Sequence, residues 1–223
     1  MMPKDLVILG AGGFAREASL LVEEINDTLA SGRWNLLGFI DEDRAKWGLK
    51  LRSYPVLGGW EALKEQPEQA AVICVVGDPG AKWKLIGEAE RQGREFVNLI
   101  HPSVALAGDV RLGKGVLINK GCLVTTNIVI GDHVSINPGC GIGHDAVIGV
   151  YSTLMWRVNI SGAVEIGESC LIGTGATVLQ EKRVGQGSVI GAGAVVTEDL
   201  PGGCTAAGVP ARVIKKDRNS AEE

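Results

Sequence analysis

Aliphatic residues recur at every sixth position between Val104 and Asp199, and this period dominates the second half of the chain. The stretch divides without a gap into sixteen six-residue blocks, and the third residue of every block is Leu, Ile or Val. A period of six is neither the 3.6 of an amphipathic helix nor the 2 of a half-buried strand. It predicts a parallel β-helix of hexapeptide repeats, in which each short strand adds one aliphatic residue to a central stack. The stacking positions are Leu106, Leu112, Ile118, Val124, Ile130, Ile136, Ile142, Ile148, Leu154, Ile160, Ile166, Ile172, Val178, Val184, Ile190 and Val196.

Apolar runs in the first hundred residues alternate with helical patterns. The apolar run 5–10 predicts a buried strand, and it leads through a glycine turn into a helix over 14–27. Further strands are predicted at 35–40, 70–76 and 96–100, helices at 60–65 and 81–92, and a loop around Pro55, Gly58 and Gly59. These patterns predict a small α/β, Rossmann-like domain over residues 1–102, a β-helix domain over 103–216 and a disordered polar tail over 217–223.

Three turns of the predicted α/β domain follow the ends of its strands, and they contain glycines and acidic residues. In a parallel sheet these ends share one edge, where ligands bind. The first turn opens a helix whose backbone N–H groups can hold a phosphate. Its spacing of Gly10, Gly12 and Ala15 fits the dinucleotide pattern, but a lone match is a weak signal. The alternative is a glycine turn that only packs the helix on the strand.

Charge and composition exclude several classes of protein. The net charge of −4 does not favour nucleic acid or an anionic membrane surface as a partner. We expect a cytoplasmic protein, because no signal peptide and no run of about 18 apolar residues is present. The five cysteines lack zinc-type spacing. They are predicted to be small buried residues, of which Cys122, Cys140 and Cys170 each begin a block.

Several motifs resemble one known family. The hexads end in AAGVPARVIKK, and the first domain contains LVILGAGGFAREA, FIDED, VVGD and NLIHPSV. Over residues 4–216 the chain resembles hexapeptide-repeat, left-handed β-helix sugar acetyltransferases. The branch is the sialic acid O-acetyltransferase type, which includes the bacillosamine and perosamine N-acetyltransferases. The resemblance implies coils of three blocks each, acetyl-CoA as co-substrate without a metal, a nucleotide-sugar substrate, and a homotrimer with active sites between subunits.

The resemblance also places the chemistry. Acyl transfer needs a base for the nucleophile and a donor for the oxyanion. Of the three histidines, His144 lies in the family's catalytic motif, here INPGCGIGHDAVIG, and is the expected general base. Asp145 would orient its imidazole, or else be a solvated corner carboxylate. Gly162, one coil further along, would donate its backbone N–H to the thioester oxygen.

Binding residues are carried over in the same way. The nucleotide-sugar would be bound by Gly12, Gly13, Phe14, Asp41, Glu42 and Gly77. The coenzyme groove would be lined by Asn137, Thr153, Thr174 and Ala192, although the Asn137 side chain could instead cap its own turn. The basic residues Arg212, Lys215 and Lys216 could meet coenzyme phosphates or form a solvated charged tail.

This chain departs from the family in three places. Thr153 stands where bacillosamine-type enzymes have a second histidine, and Phe14 stands where many relatives have histidine in the glycine turn. The block STLMWR brings Met155, Trp156 and Arg157 to positions that are usually small or turn-forming. These three residues could shape the acceptor or coenzyme pocket, or pack within the trimer.

The expected activity is acetyl-CoA-dependent N-acetylation of a nucleotide-linked amino sugar, with His144 as base and direct transfer. The alternative within the fold is O-acetylation of a sugar hydroxyl. A β-helix carbonic anhydrase would need three converging histidines, and the spacing of His101, His133 and His144 does not favour it. A non-enzymatic trimer that senses nucleotide-sugar is the remaining alternative.

Overall fold

The computed structural model describes residues 2–28 and 32–216, which fall into two units, Met1–Pro102 and Ser103–Glu223. The tail 217–223, predicted to be disordered, lies outside the described residues. Each unit has its own secondary structure, as the two sequence patterns predict.

The first unit is an α/β domain built on one sheet. Its elements are β1 (Lys4–Leu9), α1 (Gly13–Asn26), β2 (Trp34–Ile40), a 3₁₀ turn (Arg44–Lys46), β3 (Lys50–Leu51), β4 (Tyr54–Gly58), α2 (Trp60–Lys64), β5 (Ala71–Cys74), α3 (Pro79–Arg91) and β6 (Leu99–Ile100). The sheet order is β3-β4-β2-β1-β5, with parallel pairing except between β3 and β4. The predicted strand–turn–helix succession of a Rossmann-like domain is therefore confirmed.

The central strands of this sheet are the most apolar segments of the unit. Leu6 to Leu9 on β1 and Ala71 to Cys74 on β5 are all buried. Helix α1 packs against β2 and β6, and its buried residues include Leu21 and Val22. Burial on both faces explains why these strands are continuous apolar runs without the alternation of a half-exposed strand.

The prediction of a loop around Pro55 and Gly58 is wrong, because this segment forms β4 beside β2. The Asp41 N–H donates to the Gly58 carbonyl at 2.9 Å, so the ladder continues past the end of β2. Proline and glycine suggest a turn when the sequence is considered locally. Here the backbone hydrogen bonds offered by a neighbouring strand outweigh that local preference.

The second unit is a left-handed parallel β-helix, which confirms the predicted fold class. Its strands are β7 (Arg111–Leu112), β8 (Leu117–Ile118), β9 (Leu123–Val124), β10 (Val129–Ile130), β11 (Ser135–Ile136), β12 (Gly141–Ile142), β13 (Val147–Ile148), β14 (Thr153–Leu154), β15 (Asn159–Ile160), β16 (Glu165–Ile166), β17 (Leu171–Ile172), β18 (Thr177–Val178), β19 (Arg183–Val184), β20 (Val189–Ile190), β21 (Val195–Val196), β22 (Cys204–Ala207) and β23 (Arg212–Lys216). Each repeat strand pairs in register with the strand three blocks further along the chain, as Val129 does with Val147. Three blocks therefore make one coil.

The core of the coils is formed by two residues of each block. The third-position residues from Ile130 to Val196 are buried, and the first-position residues include the buried Cys122, Cys140 and Cys170. All five cysteines are free and buried, as expected. The sequence pattern predicts the third-position stack but gives no comparably uniform signal for the first position, where small and medium side chains are mixed.

The corners of the coils share one backbone conformation. From Gly115 to Gly193, the sixth residue of every block has a positive φ, including His133 at 58°, Asp145 at 62° and Arg157 at 55°. Glycine adopts this left-handed region without strain, which explains its frequency at this block position. The side chains that stand at corners without glycine are consequently fixed in direction by the backbone.

The last coil is followed by an antiparallel pair, in which β23 pairs with β22. Strand β23 is exposed along its length, and Arg212 Nη2 lies 3.7 Å from Glu198 Oε1. No helix within residues 2–28 and 32–216 combines the length and apolar character needed to span a membrane.

Candidate active site

His144 projects from a corner of the second unit rather than from its core. It is the fifth residue of its block, and Gly143 separates it from the core-facing Ile142 at the end of β12. The side chain is 64% exposed, and its Nδ1 lies 2.7 Å from Asp145 Oδ2. Because an ionised carboxylate only accepts hydrogen bonds, Nδ1 is the donor in this pair. The Nε2 lone pair is then available to accept a proton.

Asp145 is held in place by the preceding coil. Asn127 lies one coil earlier at the same corner, and its Nδ2 donates to Asp145 Oδ1 at 2.6 Å. The hydrogen bond from Asn127, followed by the one from His144, holds the pKa of the Asp145 carboxyl below its ordinary value. Asp145 is therefore ionised at neutral pH and bridges Asn127 to the imidazole.

Gly162 lies beneath the imidazole on the following coil. A Cβ atom at this residue would lie 2.5 Å from His144 Nε2 and 2.6 Å from its Cε1. The Ala163 N–H donates to the His144 carbonyl at 2.7 Å, which fixes the spacing of the two coils. Within the described ranges the Gly162 N–H donates no hydrogen bond, whereas its carbonyl accepts from the Glu181 N–H at 3.0 Å. The absence of a side chain thus lets the basic atom of His144 sit against a backbone segment with an available donor.

Cys140 is the nucleophilic side chain nearest in sequence to His144, but it lies inside the coil. Its thiol is fully buried and contacts the Met155 carbonyl at 3.0 Å. The neighbouring Cys122 thiol, followed by burial, raises the pKa of the Cys140 thiol far above its ordinary value. A buried, protonated thiol is a poor nucleophile, so Cys140 is not placed to react with a ligand at this corner.

The residues predicted to line the coenzyme groove divide into two groups. Thr174 and Ala192 are exposed at the fifth position of blocks one coil apart, in the same corner column as the exposed Trp156. Thr153 is 0% exposed, and Asn137 is buried with its Nδ2 donating to the Leu154 carbonyl at 3.0 Å. Thr174 and Ala192 are thus open to a ligand at this corner, whereas Thr153 and Asn137 are packed within this chain.

Three turns of the first unit meet at one edge of its sheet, as the parallel topology predicts. Gly10 at the end of β1 approaches the end of β5, since a Cβ there would lie 3.0 Å from Val76 Cγ2. Gly12 precedes the first residue of α1 and provides no side-chain cap, and the first turn of the helix contains no acidic residue. The N–H groups of this turn remain available to an anion.

Asp41 connects this glycine turn to the end of β2. Its Oδ2 accepts from the Ala11 N–H at 2.8 Å and from Lys46 Nζ at 3.0 Å, and its Oδ1 accepts from the Asp43 N–H at 2.9 Å. Burial alone would raise the pKa of the Asp41 carboxyl, but these hydrogen bonds outweigh it and lower the pKa. Asp41 is thus a structural link between two turns, and Glu42 beside it retains a carboxylate oxygen for a ligand.

The remaining residues singled out from the sequence lie at the sheet edge of the first unit and at corners of the β-helix. Gly77 lies in the turn that follows β5, and the half-buried Phe14 lies in the first turn of helix α1, both at the carboxyl edge of the sheet. The exposed His144 and the buried His133 stand at different corners of the β-helix. Across residues 2–28 and 32–216, no group of three or more His, Cys, Asp or Glu side chains is arranged to hold a metal ion.

Sequence reasoning did not identify several contacts of these sites. Asn127 could have been found from the period, because it precedes Asp145 by one coil. The link from Lys46 to Asp41 has no comparable signal. Lys82 on α3 is fully buried near Cys74 and Asp78, and burial lowers its pKa to about 8.

Comparisons with known proteins agree with this architecture. The PglD N-terminal domain family matches residues 5–89. PerB from Caulobacter crescentus, solved with CoA and GDP-perosamine, is 32% identical, with 95% of this chain and 97% of that chain covered and a TM-score of 0.83. The acetyltransferase domain of PglB from Neisseria gonorrhoeae FA1090, solved with acetyl coenzyme A, is 28% identical, with 95% and 100% covered and a TM-score of 0.83. WeeI from Acinetobacter baumannii AYE is 29% identical, with 96% and 100% covered and a TM-score of 0.84. A comparison with curated protein sequences found no match.

Proposed function

The chain belongs to the hexapeptide-repeat sugar acetyltransferases, and from that membership we propose that it transfers the acetyl group of acetyl-CoA to the amine of a nucleotide-linked amino sugar. The observation that carries the proposal is the corner where His144, oriented by Asp145, rests on Gly162. The similarity to PerB, solved with CoA and GDP-perosamine, and to the PglB domain, solved with acetyl coenzyme A, supports the choice of both substrates.

The reaction that we propose is a direct displacement at the thioester carbonyl. The substrate amine attacks the carbonyl carbon while His144 Nε2 accepts the proton that the nitrogen loses. The Gly162 N–H stabilises the oxyanion of the tetrahedral intermediate. Collapse of the intermediate breaks the carbon–sulfur bond, and the imidazolium returns the proton to the departing thiolate. The products are the N-acetyl sugar and free CoA.

Asp145 has a positioning role in this scheme. Its ionised carboxylate fixes the imidazole tautomer with Nδ1 protonated and stabilises the imidazolium that forms during attack. Asn127 holds the carboxylate from the other side, at 2.6 Å. The hydrogen bonds from Asn127 and His144 to Asp145 therefore hold the imidazole in one orientation, with its proton on Nδ1, before the substrates bind.

We propose that the nucleotide part of the substrate is bound by the first unit. The uncapped turn at Gly12, Gly13 and Phe14 would hold the diphosphate, and Glu42 and Gly77 flank the same sheet edge. Asp41 would act through the turn it holds at Ala11. In the second unit, Thr174 and Ala192 would line the coenzyme groove, while Asn137 and Thr153 would support it from buried positions.

A substrate panel tests the activity. Purified protein with acetyl-CoA and UDP-, dTDP- and GDP-linked 4-amino sugars is expected to release free thiol and yield an N-acetylated product by mass spectrometry. The matched control is the same nucleotide-sugar with a hydroxyl in place of the amine, which is expected to remain unmodified. Acetylation of the hydroxyl sugar with no turnover of any amine would instead establish O-acetylation.

We also propose that the protein is a homotrimer with an active site between neighbouring β-helices. The outer faces expose apolar side chains in regular positions, with Leu123 72% exposed and Val129 and Val147 each 40% exposed. Such residues are typical of surfaces that bury against a partner. Light scattering on the full chain is expected to give three times the mass of 23.4 kDa. A monomeric mass at micromolar concentration would exclude the trimer.

A further inference from the structure

A cavity of about 440 Å³ opens where β2 and β4 end. Its lining includes Gly58, Gly59, Trp47 and Trp60. The carboxyl end of a parallel sheet is the edge at which α/β domains bind ligands. The cavity therefore has the size and the position of a site for part of a nucleotide.

One wall of this cavity is an aromatic ring held rigidly in an exposed position. Trp47 Nε1 donates to the Asp41 carbonyl at 2.7 Å, yet the residue remains 42% exposed. The guanidinium carbon of Arg44 lies 5.4 Å from the centroid of the same ring. Stacking of a flat ring on this indole is favourable, because it removes apolar surface of an already fixed side chain from water.

Residue 59 has to be glycine for Trp47 and Glu42 to occupy their positions. A Cβ at Gly59 would lie 3.2 Å from Trp47 Cζ2 and would overlap Glu42 Oε1. The indole and the carboxylate thus converge on one backbone atom. A planar ligand that stacks on Trp47 would present its edge to Glu42.

Glu42 offers that edge an acceptor and no donor. Its Oε1 accepts the Trp60 N–H at 2.9 Å, and no residue in 2–28 or 32–216 donates to its Oε2. An ionised carboxylate only accepts hydrogen bonds. Guanine presents two adjacent donors, N1–H and the N2 amino group, whereas uracil and thymine present one N–H between two carbonyl oxygens. A carboxylate attracts the first edge and repels both oxygens of the second.

Asp41 joins the cavity to the diphosphate turn. Its carboxylate accepts the Ala11 N–H, and its own carbonyl accepts Trp47 Nε1. One residue thus sets the distance between the glycine turn and the aromatic wall. A nucleotide with its diphosphate at Gly12 and Gly13 would direct its base toward Trp47.

We propose that this cavity is the nucleobase site and that Glu42 selects guanine, so that the amino sugar is carried on GDP. The inference rests on the proposed function, because it names the nucleotide of the substrate. Trp47 stacks on the purine, and Glu42 accepts its two donors.

Nucleotide binding without acetyl-CoA tests the proposal. Calorimetry on the full chain with GDP, UDP and dTDP is expected to show GDP binding at least about tenfold more tightly than either pyrimidine nucleotide. The isosteric change Glu42→Gln keeps an acceptor for the Trp60 N–H but replaces one carboxylate oxygen with an amide donor. It is expected to remove most of the preference for GDP.

A surface tryptophan provides the matched control. Trp83 on α3 is 61% exposed and does not line the cavity, so Trp83→Ala is expected to bind GDP as the unchanged protein does. UDP or dTDP binding as tightly as GDP, or an unaltered GDP preference in Glu42→Gln, would overturn the guanine assignment.

The readout separates this inference from the proposed function. Selective GDP binding without acetylation of any GDP-linked amine would leave the nucleobase site in place and remove the transferase proposal. Acetylation of UDP-linked amines by a protein that does not bind GDP would support the transferase proposal and remove the guanine site.

Discussion

Replacing His144 by alanine is expected to lower kcat for acetyl transfer by about 10²- to 10⁴-fold, the usual contribution of a positioned general base. The imidazole is exposed and contributes no core packing, so the β-helix is expected to fold and to bind acetyl-CoA as before. Thiol release at saturating acetyl-CoA and amino sugar measures the loss, and the thermal unfolding midpoint checks the fold.

The control for this change is a side chain at the same block position on another corner. Glu168 is exposed, lies at the fifth position of its block and has no part in the proposed chemistry. Glu168→Ala is expected to keep full activity and the same unfolding midpoint. Undiminished turnover of His144→Ala would remove His144 as the base.

The period of six predicts much of the candidate site because it fixes which residues are neighbours in space. Residues one coil apart in the sequence stack directly on each other, which places Gly162 against His144 and Asn127 against Asp145. Local repetition makes these contacts calculable without knowledge of the whole fold. The resemblance to sugar acetyltransferases then supplies the chemistry that the period cannot.

The same period does not predict which outward positions remain exposed. Thr153 and Val129 both occupy the second position of a block, yet Thr153 is buried and Val129 is exposed. The hexad pattern records only the residues that face the core. Burial of an outward residue depends on what covers its face, and the period carries no information about that.

In the first unit, which has no repeat, the sequence predicts the main elements but not all of their tertiary contacts. Its main strands and helices follow from apolar runs and glycine turns, but β4 forms where Pro55 and Gly58 suggest a loop. Lys82 lies on a helix with exposed neighbours such as Trp83 and Lys84, and yet it is fully buried. The cavity beside Glu42 likewise depends on Trp47 and Trp60, which belong to different elements and are brought together only by tertiary contacts.

Gly162→Ala is expected to lower kcat by about 10²-fold, because displacement of a catalytic group by about 1 Å can cost that much. The new methyl group would lie 2.5 Å from His144 Nε2, so the imidazole has to move away from the attacking amine. The backbone itself tolerates alanine, since Gly162 is not among the glycines with positive φ. Steady-state kinetics of thiol release measures the change, with an unfolding midpoint close to that of the unchanged protein.

Gly108 offers the matched control, since it occupies the same block position in the same corner column and a Cβ there would meet nothing within 4 Å. Gly108→Ala is expected to be fully active. If Gly162→Ala acts through the base, adding it to His144→Ala will cost little further activity, because residues that act as a unit are not additive. A second large loss in the double variant would show that the methyl group disturbs the Gly162 N–H and its oxyanion contact independently of His144. Full activity of the single variant would contradict the close packing of imidazole on glycine from which both roles are argued.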